Sequence, residues 1–302
     1  NTVNVDQNAG FGNDADIGII GDMNDVNVVQ DIHNDSMVDI VGGDNDVDIL
    51  QTLIGITPNS STLFVIGNDN IFEVNQDGGA NDSMATIAGA RNEALIDQKG
   101  SNNISDLTID GVFSGNDNYV TVDQRSRVLG NTLTAGITGD NNTLAIDQDG
   151  FNTADVQLNG GAWGSLESDN NRIAVDQSGG LFGENSVTVS LWGDDNNSGS
   201  AGNDGNGVFS GDAMTVAGLD GRIAPGNLTQ VGWRNSVTLN VGEPGADSDN
   251  NLFSVLQDGY DNTVTGAIRG GSGNEVAVSQ VGSGHVTTFT QVGNANNLGV
   301  SQ

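Results

Sequence analysis

The residues best placed to do chemistry in this chain are carboxylates. Asp97, Asp123, Asp147 and Asp176 each stand immediately before a glutamine, in four successive copies of one short pattern. If those copies lie side by side as strands, period-2 alternation points the four carboxylates outward in a single column. Neighbours about 4.8 Å apart repel by about 1 kcal/mol in water before salt screening. Such a column is either a solvated acidic face or a site for Ca²⁺, which takes oxygen ligands. Turn clusters at Asp194–Asp195 and Asp247–Asp249 offer the same chemistry in smaller groups. The stretch GGSGNEVAV (270–278) comes near the calcium-binding nonapeptide G-G-x-G-x-D. It occurs once, not in tandem, and reads as a turn followed by a strand.

Catalysis finds little support. The two histidines, His33 and His285, are far apart, and there is no cysteine. A Ser–His–Asp site needs a histidine held by a folded pocket, whereas these two fall in repeat slots. Paired carboxylates hydrolyse glycosides, but no pair stands out among so many Asp. The expectation is a protein that is not an enzyme and has no resident cofactor, Ca²⁺ being the one ion to test for. Trp163, Trp192 and Trp233 lie beside glycines near turns. They either close the edges of the fold or stack on sugars or neighbouring filaments.

Composition narrows the partners. Asp and Glu number 40 against 8 Lys and Arg, a net charge of −32. Nucleic acids and anionic membranes call for the opposite sign. No apolar run approaches the ~18 residues of a membrane span. Gly is 45 of 302, about twice the usual share of about 7%. Aromatic residues are 5%. So few large side chains suit a narrow, regular fold better than an ordinary layered core.

The elements that would position these residues come from a repeat. Gln7, Gln30, Gln51, Gln76, Gln98, Gln124, Gln148, Gln177, Gln230, Gln257, Gln280 and Gln302 each close a strand-like alternation. Six places earlier stands Asn1, Asn24, Asn45, Asn70, Asn92, Asn118, Asn142, Asn171, Asn251, Asn274 or Asn296, with Ala224 as the exception. A second strand opens after each Gln but the last, at Asn13, Asn34, Asn59, Asn81, Asn103, Asn131, Asn152, Asn185, Asn235, Asn262 and His285. Phrases such as GGDN and GDNN then turn the chain, since Gly and Asn accept positive φ.

A unit of strand, turn, strand, turn at a fixed period is a solenoid rung. One rung buries about five apolar side chains, worth roughly 10 kcal/mol, and ordering its strands costs at least as much. Stacking must supply the difference. Stacking also explains why Asn and Gln share the parity of the core residues. Each carboxamide has a donor and an acceptor, so it bonds to its copies above and below. The ladder predicted on this basis includes Asn24, Gln30, Asn34, Asn45, Gln51, Asn92, Gln98, Asn142, Gln148, Asn152, Asn171, Gln177, Asn274 and Gln280. One domain is expected over 1–302, with residues 194–221 as an insertion loop or a degenerate extra rung. In the latter case DAMTVAG supplies a strand.

NEALIDQKGSNN (92–103), NTLAIDQDGFN (142–152) and NEVAVSQVGSGH (274–285) resemble the repeat of the curlins, the subunits of bacterial curli fibres. That repeat runs S-x5-Q-x-G-x2-N-x-A-x3-Q, and Asn stands here for the leading Ser. The second-strand Gln is mostly apolar, as at Ile40, Ile87 and Ile137, and only Gln291 keeps it. The resemblance implies a two-sheet cross-β solenoid, secretion to the cell surface, a surface nucleator, polymerisation and a biofilm role.

The expectation is therefore an all-β, two-sheet, curli-like β-solenoid with rungs of ~22–25 residues, about 12 in number. It would be extracellular and would assemble with itself head to tail through uncapped ends. It would not bind nucleic acid or insert in membranes. The opening of the chain inside a strand motif suggests a processed product. The alternative is a monomeric binding solenoid, either a calcium-dependent adhesin or an ice-binding protein. Ice binding wants an unbroken threonine column, which Thr153, Thr188 and Thr263 do not supply by sequence.

Overall fold

The computed structural model describes residues 1–8, 12–53, 57–110, 115–159, 169–179, 183–198 and 207–302. The chain winds as a β-solenoid built from two parallel sheets. One sheet has 12 strands and takes the first strand of each unit, from Thr2–Gln7 to Asn297–Ser301. The other has 11 and takes the second strand of each unit, from Asp14–Ile20 to Val286–Val292. Within a sheet every neighbour is the equivalent strand of the next unit, in parallel and without slippage. Gln98 thus lies opposite Gln76 on one side and Gln124 on the other.

Alternation sets the core. Inward residues such as Val26, Val28, Ile49, Phe72, Val74, Leu107, Ile146 and Val189 are all but fully buried in one continuous cluster. Outward residues between them are mostly charged, polar or small, with large apolar exceptions such as Met37, Leu50, Phe64, Ile71 and Met84. The register is locked because a shift by one residue would exchange the two faces.

Turns fix the pitch. The residue just before a ladder Asn takes a left-handed conformation at Asp44, Asp69, Arg91, Asp117, Asn141 and Asn170 in the first set. His33, Ala80, Asn102, Arg234 and Asp261 do the same in the second. Glycines close the other side. A Cβ on Gly67, whose φ is +140°, would lie 1.7 Å from the carbonyl oxygen of Gly89 one rung on. Gly78 stands in the same relation to Gly100. Stacking requires glycine there because the next rung's backbone occupies the side-chain position.

The insertion differs from both sequence expectations in detail. DAMTVAG contains no strand; Gly211–Ala217 is a short α-helix, the only helix among the described residues. Its alternation was too short to separate strand from helix. The helix docks on the outer face of the first sheet, burying Phe209, Ala213, Val216 and Ile223 against Leu252, Leu256 and Ala277. Gly299 of the last strand admits it, since a Cβ there would meet Asp212 O at 2.2 Å. Asn297 holds its start by accepting from Ala213 N (2.9 Å) and donating to Ser210 O (2.8 Å).

Ala224 is likewise no gap in the ladder. Asn196 fills that slot, donating from its backbone N to Asn171 Oδ1 (2.9 Å) and accepting from Asn251 N (2.9 Å). The chain leaves after Asn197, whose N–H still donates to Asn251 O (2.9 Å), and rejoins the same rung near Gly226, where Gly226 O accepts from Ala174 N (2.8 Å). The insertion is therefore placed between a ladder Asn and its own strand.

Candidate functional site: the amide ladders and the acidic face

The glutamines form one uninterrupted chain of hydrogen bonds. Each Nε2 donates to the Oε1 of the next rung, from Gln7 to Gln30 (3.0 Å) through Gln98 to Gln124 (2.9 Å) to Gln280 to Gln302 (3.0 Å). The second N–H of each interior Gln reaches across to the start of the second strand. Gln30 donates to Asp14 O (2.8 Å), Gln76 to Ser60 O (2.8 Å) and Gln98 to Asp82 O (3.0 Å). The ladder thus joins rung to rung and also sheet to sheet.

The first asparagine ladder runs with the opposite polarity. Asn45 N and Nδ2 donate to Asn24 Oδ1 (3.1 and 2.9 Å), and Asn142 repeats this to Asn118. Asn92, Asn171 and Asn274 follow the same rule. Asn34 and Asn152 belong to the second asparagine ladder, where Asn34 N donates to Asn13 Oδ1 and Asn152 N to Asn131 Oδ1. His285 keeps the backbone half of that bond, with its N–H on Asn262 Oδ1 (3.0 Å). These interior carboxamides are buried, and their bonds remove the penalty of burying an amide.

A third ladder, in the turns, escaped the sequence reading. Asp140 Oδ1 accepts from Gly115 N and Asn116 N, Asp169 Oδ1 from Asp140 N, Asp194 Oδ1 from Asp169 N, and Asp249 Oδ1 from Asp194 N, all at 2.7–3.0 Å. Asn68 and Asn116 do the same for Gly43 N and Ala90 N. Asp194 and Asp249, read as calcium candidates, are here acceptors for the backbone of the preceding rung. Their signal was the recurrent G-[DN]-x-N turn.

The outward column is present in the predicted register: Asp97, Asp123, Asp147 and Asp176 face one another in successive strands. Sequence reading missed the cations beside it. Lys99 and Arg125 occupy neighbouring rungs of the next outward column. Lys99 Nζ bonds Asp97, while Arg125 reaches Asp123 at 3.4 Å and Asp147 at 2.5 Å. These half-exposed ion pairs relieve the repulsion that the bare column would carry, each adding at most about 1 kcal/mol. The Asp column flanks a shallow groove of ≈ 520 Å³ floored by Leu95, Thr121, Ala145 and Ala174. Among the described residues no group of three or more His, Asp or Glu is placed to hold a metal ion. Ca²⁺ at the column would compete with Lys99 and Arg125 for the same oxygens.

Burial pushes the carboxyls of Asp46, Asp123, Asp176 and Asp194 above the usual value of 3.8, and neighbouring carboxylates push the same way. At Asp123 the nearby Arg125 partly offsets this. Each group binds its proton more tightly folded than unfolded, so its stabilising effect is lost as pH rises through the raised value. Asp220, held down to about 2 by Arg222, opposes this only at pH below the ordinary carboxylate value. The melting temperature is therefore expected to climb as pH falls from neutrality towards the ordinary carboxylate range, with a smaller climb in high salt. A profile that falls over that interval would contradict this assignment.

In the second sheet Thr153 and Thr263 share an outward column that Ser186 and Ser236 interrupt, so the three named threonines form no unbroken column. Thr188 belongs to a separate outward column with Thr238, Thr265 and Thr288. The insertion had hidden this register. Trp233 stacks on Tyr260 of the adjacent strand, with ring centroids 5.4 Å apart and planes 10° from parallel. Trp163 lies outside the described residues. No helix among the described residues is long and apolar enough to cross a membrane. No family model and no curated protein matches the chain.

Proposed function

We propose that this chain is the structural subunit of an extracellular, curli-like fibre in which copies stack head to tail. The observation that carries this reading is the polarity of the ladders. Every Gln donates towards the higher-numbered rung and every Asn of the first ladder towards the lower. Each rung therefore offers a Gln acceptor and an Asn donor towards the lower-numbered side, and a Gln donor and an Asn acceptor towards the higher. Copies stacked head to tail would match both pairs and keep the parallel pairing found throughout both sheets. A two-fold head-to-head contact would set facing strands antiparallel, unlike any pair within the sheets.

The inward rows match as well. Leu298 and Val300 hold the same inward register places as Val3 and Val5, so stacked copies would continue the apolar rows. A heterologous contact that repeats without closing gives a filament. The charge of −32 keeps filaments apart laterally and slows their growth at low salt. The proposal assigns no reaction, and its setting outside the cell rests on the acidity of the chain and on the resemblance to the curlin repeat. The column from Thr188 to Thr288 favours a second reading, ice binding by a single rod.

Concentrated protein in screening salt separates the two. The fibre reading predicts filaments by electron microscopy, with a diffraction repeat of about 4.8 Å along the axis. Dispersed rods that never join under those conditions would overturn it. If such rods also slowed ice growth, the second reading would stand.

A further inference from the structure

Four serine hydroxyls inside the second sheet break the rule that buried polar groups are paired. Ser36, Ser61, Ser83 and Ser105 lie opposite one another in consecutive strands. They are 6%, 2%, 1% and 1% exposed. None of the four Oγ atoms has a hydrogen-bond partner. Every amide of the neighbouring ladders is paired, so this is a local exception and not a loosely satisfied core.

The same column explains what differs in these rungs. Beyond Ser105 it continues as Leu133, Ala154, Val187, Val237 and Val264. Serine is smaller than Leu or Val, so the four serine rungs leave more room at this height. The column ends at Thr287, whose hydroxyl does reach the glutamine ladder. It accepts from Gln280 Nε2 and donates to Gln302 Oε1, both at 3.1 Å. The serine column therefore runs beside the glutamines, with its oxygens out of direct reach.

We infer that this column binds a single file of water molecules, one between each successive pair of serines. Hydroxyl oxygens one rung apart, about 4.8 Å, are too distant to bond to each other but suit a bridge. A water with two bonds of about 2.8 Å spans that gap at an angle of about 118°, close to tetrahedral. Its third partner is the adjacent Gln Oε1, which uses only one of its two lone pairs in the ladder. Three partners is the usual complement of a buried water. The file has three members, between Ser36 and Ser61, Ser61 and Ser83, and Ser83 and Ser105. It ends where Leu133 fills the column.

A structure of the parent chain at a resolution that shows ordered water is the direct test, with Ser61→Val and a fourfold Ser→Val variant compared in thermal melts. The file predicts three density peaks, each within hydrogen-bond distance of two serine oxygens. Ser61→Val alone removes a shared partner from two waters, so it melts about 2–4 °C lower. Replacing all four serines removes the file and its partners together and returns the melting point to the parent's or above. Serine hydroxyls found directly on Gln Oε1 without intervening density would overturn the inference. So would a Ser61→Val protein more stable than the parent. Should that variant fail to fold, the density and the fourfold variant decide.

Discussion

Gln98→Leu is expected to cost about 3 kcal/mol of folding stability, read from denaturant unfolding. The leucine is apolar and of similar length, so little packing is lost. The penalty comes from the groups left behind. Gln76 loses the acceptor for one N–H, Gln124 Oε1 loses its donor, and Asp82 O loses the bond that ties the sheets together. Each orphaned buried group costs about 1–3 kcal/mol. Replacing Gln76, Gln98 and Gln124 together should cost well under three times as much, because the inner orphans disappear with their neighbours. Three single variants as stable as the parent would mean that the ladder contributes no stability.

Gly67→Ala is expected to be worse, at about 4 kcal/mol or more, with loss of the folded state at moderate temperature. Two penalties coincide there. The φ of +140° disfavours any L side chain, and the added methyl would sit 1.7 Å from Gly89 O. That oxygen belongs to the next rung's backbone, so relief requires the rungs to part. Gly245 is the internal control: its φ is also positive (+79°), but nothing lies within 4 Å of a Cβ there. Gly245→Ala should cost about 1 kcal/mol, the backbone term alone. Equal penalties at the two positions, measured by thermal melts, would show that rung contact is not what demands glycine.

These contrasts show why much of the fold was legible and some of the site was not. The glutamine and asparagine ladders were readable because stacking forces one residue type to recur at one parity. Asp97, Asp123, Asp147 and Asp176 share the glutamine register, so their alignment was readable too. Asn196 was missed because a long insertion separates it from Gln230, and spacing was the signal in use. The phrase GDDNN (193–197), with the same turn chemistry as GDNN, marks it. Lys99 and Arg125 were passed over because each is a single cation, and only the register places them beside the aspartates. The helix was hidden for a different reason. Its seven residues are stabilised by docking on Leu252, Leu256 and Ala277 from distant rungs, a contact that local pattern does not encode.

Paired carboxamides inside the solenoid are the premise of the folding account and of the proposed stacking alike. Side-chain hydrogen exchange followed by NMR reports on them directly. Gln30, Gln51, Gln76, Gln98, Gln124, Gln148, Gln177, Gln230 and Gln257 should hold their Nε2 protons as long as the surrounding strand amides hold theirs. Gln157, on the outer face, donates from Nε2 to Asp155 of its own strand and to no other described residue, and should exchange at once. Interior glutamines that exchange as fast as Gln157 would contradict the account, since no continuous ladder could then be joining the rungs.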